Sequence, residues 1–497
     1  MTWRPWRSDA LRVMLAGVAS ALALPPLYLL PALLFIMPWL LRRLAQAGSA
    51  KRAAWLGWCF GFGLNVAGLY WITMPIMTEV GTFWWLVPFA APLLAFAVAF
   101  YSIFPALAVY RMRPGLPMIL VFAGVWVLSN LLQQFAFTGF PWNMWGADWT
   151  IPGRLGDVLI QPASVIGIHG LTLLTIILAC LPLLGRRGWF GAAGMMLLWV
   201  GFGLARLAGP ALADQNLTLG LIQPDFSVPM QWDRPALEAR WQVDLDQTRQ
   251  AIAAAGPGPK AIIWPETASP WLLARDAGAR AMLAAVSGDI PVLAGTIRFA
   301  ADGSPRNSFV VVQGPGPVLA HYDKFKLVPF GEYTPAWVPV KITPGGGFSP
   351  GPGPRTLHIP GLPPFDPLIC YEAIFSGETI DNTDRPDWLV NITDDAWFGN
   401  SSGPRQDFAT TRLRAVEEGV PLIRDANSGE SAMIDSYGRV LASLPLLTKG
   451  VLVHKLPGAL KATIYSRYGL KIPFALALVT LILGLIAARI TRKRIEL

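Results

Sequence analysis

Long apolar runs separated by short polar ones fill the first 210 residues, whereas between about 215 and 460 the apolar runs shrink and alternate with polar segments. A hydrocarbon layer about 30 Å thick needs about 20 apolar residues per helix. Runs near 11–26, 27–41, 53–73, 83–110, 116–134, 164–184 and 189–208 are read as seven spans, and a run at 470–490 as an eighth. Between the seventh and eighth, "LTLGLIQP", "AIIWPE", "VLAGTIRF", "NSFVVVQG", "DPLIC", "DWLVNIT", "PLIRDA", "SAMIDSYGRVLASL" and "GVLVHKL" predict strands. Helices are predicted over "PALEARWQVDLDQTRQAIAAAG", "WLLARDAGARAMLAAVSG" and "QDFATTRLRAVEEG", the first ended by Gly256 and the last by Gly419 and Pro421. Short strands alternating with helices make this an α/β domain. The stretch "ITPGGGFSPGPGPRT" is too rich in proline and glycine for either ladder and reads as a long, mobile, functional loop.

Composition agrees with this division. Hydrophobic residues make up 53% of the chain and charged residues only 14%, far from the roughly 25% charged residues of soluble domains. The formal charge of +9 is not the stripe of a nucleic-acid binder, because the basic residues gather at the ends of apolar runs. Arg4, Arg7, Arg42, Arg43, Lys51, Arg52, Arg111, Arg113, Arg186, Arg187, Arg492, Lys493 and Arg494 fall on alternate connections, whereas "TMPIMTEVGT" carries no positive charge and "GFPWNMWGADWTIPGRLGD" only Arg154. The positive-inside rule then puts both termini in the cytoplasm and the polar domain outside it. The expected organisation is a transmembrane region over 1–210, an extramembrane domain over 211–460, and a final span with a basic tail over 461–497. The first span is not read as a cleaved signal, since further spans follow at once.

Three stretches that end or follow strands set an ionisable group in an apolar surrounding: Glu266 in "IIWPETASP", Lys324, with Glu332, in "HYDKFKLVPFGEY", and Cys370 in "LICYEAIF". The other cysteines, Cys59 and Cys180, lie in apolar runs, so no disulfide framework is present. Taken singly, each group has a structural reading: a buried thiol, a carboxylate at a helix N-terminus, a solvated lysine. Together they form an acyl-transfer set, in which a carboxylate deprotonates a thiol and an ammonium stabilises the oxyanion. The histidines, at 169, 321, 358 and 454, lack metal-site spacing, so no metal is expected. No Walker loop, HExxH or dinucleotide fingerprint is present. Asn391 and Asn400 head sequons read as chance matches, and "PWNMWGADW" reads as an interfacial aromatic anchor.

The order Glu, Lys, Cys on strands of an α/β domain resembles the nitrilase, or carbon–nitrogen hydrolase, superfamily. "HYDKFKLVPFGEYTP" and "NITDDAWFGNSSGPRQDFATTRLRAVE" are similar to its membrane branch, the apolipoprotein N-acyltransferases. The resemblance implies an αββα sandwich joined to a bundle of about eight membrane helices, in a bacterial inner membrane with the sandwich facing the periplasm. It assigns Glu266 as general base, Lys324 as catalytic lysine and Cys370 as nucleophile. Lys326 is the competing lysine, expected on another face of its strand. Glu332 resembles a supporting glutamate, Tyr371 and Glu372 the nucleophile's neighbours, and Trp232 an aromatic on a loop over the site. One departure is "RDANSGES", where the family pattern leads one to expect a Thr-Asn pair before the glycine.

The activity so implied is transfer of a fatty acyl chain from a phospholipid to the α-amine of a lipoprotein's S-diacylglyceryl cysteine, by ping-pong chemistry through a thioester on Cys370. The implied partners are a phospholipid donor, a diacylglyceryl apolipoprotein acceptor and the bilayer, with no cofactor and a monomeric enzyme. The Gly/Pro loop at 344–355, the Trp232 loop and the Trp-rich loop at 141–149 are expected to line the lipid entrance. Two rival classes are a membrane-tethered amidase with water as acceptor and a non-catalytic transporter. The runs carry few internal charges of the kind transport needs and no evident inverted repeat.

Overall fold

The apolar runs form helices in the computed structural model, which describes residues 4–496 apart from 79, 211, 229–232, 337, 339–342 and 344–346. The chain divides into one unit of Met1–Gly209, Ser401–Leu413 and Ile464–Leu497, and a second of Pro210–Asn400 and Arg414–Thr463.

In the first unit, among the described residues, Val87–Val109, Leu116–Phe135, Ala163–Leu184, Arg186–Leu207 and Lys471–Lys493 are long and apolar enough to cross a membrane. A further pair, Ala50–Gly68 and Tyr70–Met77, passes the same test together but bends by 58°. The runs expected at 11–26 and 27–41 take a different form, Arg4–Ser20 and Leu33–Ala45. The second has 13 residues, about 20 Å of helix, short of a straight crossing. Gly17 and Gly63 let Arg4–Ser20 and Ala50–Gly68 touch backbone to backbone: a Cβ on Gly17 would lie 2.1 Å from the Phe60 carbonyl oxygen, and one on Gly63 would lie 2.0 Å from that of Met14. Small residues at helix crossings maximise packing where lipid offers no hydrophobic drive.

The second unit is built on eleven strands: β1 (Thr218–Gln223), β2 (Lys260–Ile263), β3 (Val292–Phe299), β4 (Pro305–Val312), β5 (Ala320–Asp323), β6 (Phe365–Ile369), β7 (Trp388–Thr393), β8 (Leu422–Ala426), β9 (Ser431–Ile434), β10 (Val440–Leu444) and β11 (Gly450–Lys455). They form a six-stranded sheet ordered β11-β1-β2-β3-β4-β5 and a five-stranded sheet ordered β10-β9-β8-β7-β6. Strands β1–β3 run parallel, as do β6–β8, and the flanking strands are antiparallel.

The two-residue period of a strand divides the apolar residues between two cores. Leu219, Leu221, Ile263, Leu293, Phe309 and Val311 meet Phe365, Ile369, Trp388, Val390 and Ile423 of the other sheet. Ile222, Ile262, Val292, Val310 and Val312 point outward, against Trp241 and Leu245 of helix Arg234–Ala255 and Leu283 of helix Ala277–Ser287. Helix Ser402–Glu418 connects the parallel strands β7 and β8. Helices outside two face-packed sheets are the architecture expected of a nitrilase-like sandwich.

Three local readings change. "SAMIDSYGRVLASL" is a hairpin of two strands, because Asp435–Arg439 closes a turn with Gly438 at φ +77°. The helix expected from Trp271 begins at Ala277, where Asp276 caps it by accepting from the Ala279 N–H at 2.9 Å. Strand β5, "AHYD", is too short and mixed to show as an alternating run. Within the long Gly/Pro loop, 347–356 form neither helix nor strand, yet they are tied down: the N–H groups of Phe348 and Gly351 donate to the carbonyls of Glu332 and Lys324 at 2.7 and 2.8 Å.

Candidate active site

All the groups below belong to the sheet unit. Glu266 lies three residues beyond β2, on a turn that presses against β3. A Cβ at Gly295 would sit 2.3 Å from the Pro265 carbonyl oxygen and 2.7 Å from the Glu266 Cα, so a bare glycine is what admits the turn. Glu266 is 7% exposed. Its Oε1 accepts from Lys324 Nζ at 3.0 Å and from Asn307 Nδ2 at 2.7 Å, and its Oε2 accepts from the Asp394 N–H at 3.0 Å.

Lys324, the residue after β5, is 1% exposed. Its Nζ also donates to Glu332 Oε1 at 2.9 Å. Burial alone favours the neutral amine, but the combined pull of Glu266, Glu332 and Cys370 outweighs it and holds the lysine well above its ordinary range, as an ammonium ion. Glu332 is held in turn, its Oε1 accepting from Asn307 Nδ2 at 2.9 Å and its Oε2 from the Val328 N–H at 2.7 Å. Lys326 is not part of this cluster. Residues two apart on a strand share a face, but β5 ends at Asp323, and Lys326 turns away to Glu378 at 2.8 Å and the Phe375 ring.

Cys370 is the first residue after β6 and opens the tight turn Cys370–Ile374. It is half-buried, near enough to Lys324 to act on its charge. Its φ of +52° lies in the left-handed region that non-glycine residues avoid. Asp225, Thr267 and Phe330, all in loops around this cluster, share that sign of φ. Backbone strain of this kind persists only where surrounding contacts enforce it, and it collects at functional sites.

Tyr371 is buried, its ring edge-on to Phe375 with centroids 5.1 Å apart, and burial raises its phenol. Glu372 is fully buried and clamps the two sheets together. Its Oε1 accepts from the N–H groups of Phe325 and Lys326 at 2.5 and 3.3 Å, and its Oε2 from the Ile369 N–H at 2.7 Å and the Tyr322 hydroxyl at 2.9 Å. Burial pushes this carboxyl up to about 7 against the pull of those donors. Trp232 lies outside the described residues.

The structure therefore gathers Glu266, Lys324 and Glu332 by direct contact, places Cys370 beside them and gives Glu372 a bracing position. Sequence reasoning missed Asn307, which bridges both glutamates. Its signal was present: Asn307 shares the core-facing parity of Phe309 and Val311, and a polar residue in that register needs a partner inside. Asp394 and Asn427 sit inside "NITDDAWFG" and "RDANSGES", where the local pattern does not set them apart.

Two family models match the chain: the apolipoprotein N-acyltransferase N-terminal domain over residues 16–181 and carbon-nitrogen hydrolase over 223–465. An apolipoprotein N-acyltransferase of Rhodopseudomonas palustris is 37% identical, covering 97% of this chain and 95% of the relative. Another, of Brucella melitensis, is 36% identical over 91% and 90%. Among solved structures, an amidase from Nesterenkonia sp. matches half of this chain and 94% of its own at 18% identity, with a TM-score of 0.38.

Proposed function

This chain belongs to the apolipoprotein N-acyltransferase family, and on that premise we propose that Glu266, Lys324 and Cys370 carry its acyl transfer. It is a bacterial membrane N-acyltransferase with lipid and lipoprotein substrates. The finer reading places it in the inner membrane with eight crossings, the sheet domain in the periplasm and both termini in the cytoplasm. The alternating Arg and Lys clusters support that orientation. The domain limits 1–210, 211–460 and 461–497 and a monomeric state belong to the same proposal.

In the first half-reaction the Cys370 thiol passes its proton to Glu266, and the thiolate attacks the carbonyl carbon of a phospholipid ester. The tetrahedral oxyanion is held by the Lys324 ammonium and the Tyr371 backbone N–H. Loss of one such donor costs about 10²–10³ in rate. Collapse breaks the ester C–O bond, the leaving alkoxide takes the proton from Glu266, and a lysophospholipid departs from a Cys370 thioester. In the second half the α-amine of the lipoprotein's diacylglyceryl cysteine attacks that thioester and loses its proton to Glu266. Cys370 leaves and recovers the proton as the amide forms.

The observation that carries this reading is the buried Lys324 ammonium shared by Glu266 and Glu332 at 3.0 and 2.9 Å beside Cys370 on its left-handed turn. Asn307 and the Asp394 N–H also donate to Glu266 without protonating it, leaving it able to accept a proton. Intact mass spectrometry after incubation with phospholipid tests the proposal. The expected result is an acyl-sized, hydroxylamine-labile adduct on the wild type and none on Cys370→Ala, with acyl transfer on adding a diacylglyceryl peptide. Equal masses with lipid bound and the fold intact would sink it. Free fatty acid released in place of acyl peptide would favour the amidase-like reading.

A further inference from the structure

The second oxygen of Glu266 is held by a peptide group rather than a side chain, and that peptide is itself gripped from behind. The Thr393–Asp394 peptide donates its N–H to Glu266 Oε2 at 3.0 Å, while its carbonyl oxygen accepts from the Asn427 N–H at 3.0 Å. Asn427 Nδ2 donates to Asp394 Oδ1 at 2.9 Å, and the same Oδ1 accepts from the Ala396 N–H at 3.1 Å, which fixes the turn after β7. The remaining groups of Asn427 all go to the loop leaving β1. Its carbonyl accepts from the Asp225 N–H at 2.9 Å, its Oδ1 accepts from the Phe226 N–H at 2.8 Å, and its Nδ2 donates to the Phe226 carbonyl at 2.9 Å. Asn427 is 3% exposed. Asp225 sits at φ +57°, and the Arg240 guanidinium lies 4.8 Å over the Phe226 ring, so this loop is seated rather than merely tethered.

We propose that Asn427 is the positioning residue that couples the loop leaving β1, over residues 224–228, to the general base Glu266, by way of the Thr393–Asp394 peptide. A displacement of the loop that disturbs Asn427 tilts that peptide, and Glu266 Oε2 loses its donor. Chains of hydrogen bonds through one amide reinforce one another in a low-dielectric interior, so the loop end of the chain is felt at the base. This inference rests on the assignment of Glu266 as base and Cys370 as nucleophile.

Among the described residues, Glu266 pairs with Lys324, which it shares with Glu332 and which also feels Cys370, and Asp394 of the second sheet feels the Glu266 charge. Arg240 faces Asp394 from the helix outside the first sheet. A donor to a carboxylate favours its ionised form. Its loss in Asn427→Ala is expected to displace the acidic limb of the acylation profile to higher pH.

The test follows the pH dependence of single-turnover acylation of Cys370 by phospholipid, read by intact mass, in the full-length enzyme. Asn427→Ala and Asn427→Asp are expected to slow acylation about tenfold, with the acidic limb displaced upward in Asn427→Ala. The swap Asn427→Asp with Asp394→Asn returns a donor and an acceptor to that pair in reversed order, and is expected to recover at least about a third of the lost rate. Wild-type limb position and rate in folded Asn427→Ala would overturn the coupling. If that variant does not fold, a swap no faster than Asn427→Asp alone overturns it equally. No adduct on the wild type would instead remove the catalytic assignment beneath it.

Discussion

The two units of this chain bury polarity to different degrees, although the helical unit also holds the largely buried Arg412–Asp157 ion pair. Inside the helical unit the buried side-chain pairs include neutral ones: Asn143 donates to Asn65 at 2.9 Å, Trp149 to Thr175 at 2.7 Å, and His169 meets Gln134 at 2.8 Å. Its cysteines, Cys59 and Cys180, are buried among apolar neighbours. The sheet unit concentrates charge in its interior, with Lys324 between two glutamates and Cys370 at a backbone angle that a packing cysteine has no reason to adopt. Residue type alone does not separate a reactive thiol from a structural one. The charged company Cys370 keeps and the backbone angle it carries are what set it apart from the other two.

The sharpest way to break that comparison is to mutate the three cysteines in parallel. Cys370→Ala is expected to abolish both acyl adduct and transfer, a loss of at least about 10³. Cys59→Ala and Cys180→Ala should retain turnover within about twofold, at a stability cost of about 1 kcal/mol each. Equal losses in all three, by peptide-acylation assay on correctly folded protein, would erase the distinction between the units.

Next in size is Lys324→Met. Removing the ammonium strips the oxyanion of a donor and leaves Glu266 and Glu332 buried without their shared cation, so acylation should fall about 10²–10³. Stability should drop by about 3–5 kcal/mol, readable by denaturation of the full chain in detergent. A fully stable Lys324→Met would mean that the carboxylates find another partner.

A smaller effect separates the units by pH. Burial, partly offset by the Asn427 hydrogen bond, holds the Asp394 carboxyl up to about 7 against an ordinary 3.8, and Glu372 stands at about 7 against 4.5. Between those values the folded domain keeps protons that the unfolded chain releases. The stabilisation is therefore complete below about pH 4 and is lost as pH rises through 7. Melting temperature should be higher at pH 5.5 than at pH 8, at about 2–4 °C per kcal/mol, and Asp394→Asn should flatten the slope. A melting curve that rises with pH over this range would contradict the sign. Smallest of all is Lys326→Gln: its partner Glu378 is about a quarter exposed, and pairs near the surface contribute about 0–1 kcal/mol, so turnover should stay within threefold.

The sheet domain was legible because its strands are short apolar blocks, and β3 begins and ends where the pattern placed it. Where the reading went astray, local geometry decided. The hairpin at Asp435–Arg439 hid inside a run that alternates well, and β5 is four residues long with Tyr322 in the core and Ala320 at its edge. In the helical unit the apolar runs marked the helices but not their breaks, since composition does not set the 58° bend after Gly68. At the site, the three groups proposed to react announced themselves as ionisable residues in apolar blocks. Asn307 showed only as a polar residue in core register and Asn427 not at all, because their partners lie 41 and 201 positions away, and no window along the chain spans such distances.

The clamp made by Glu372 has one further consequence. Glu266 and Lys324 issue from the ends of strands in one sheet and Cys370 from a strand in the other, so neither sheet alone contains the proposed reacting set. A chain still emerging, or one clipped between β5 and β6, holds a thiol with no base and a lysine with no nucleophile. On the proposed assignment the set is complete only where both sheets are present, with the Glu372 carboxyl joining Phe325 to Ile369. The proposed chemistry is thereby a property of the paired sheets and of neither one by itself.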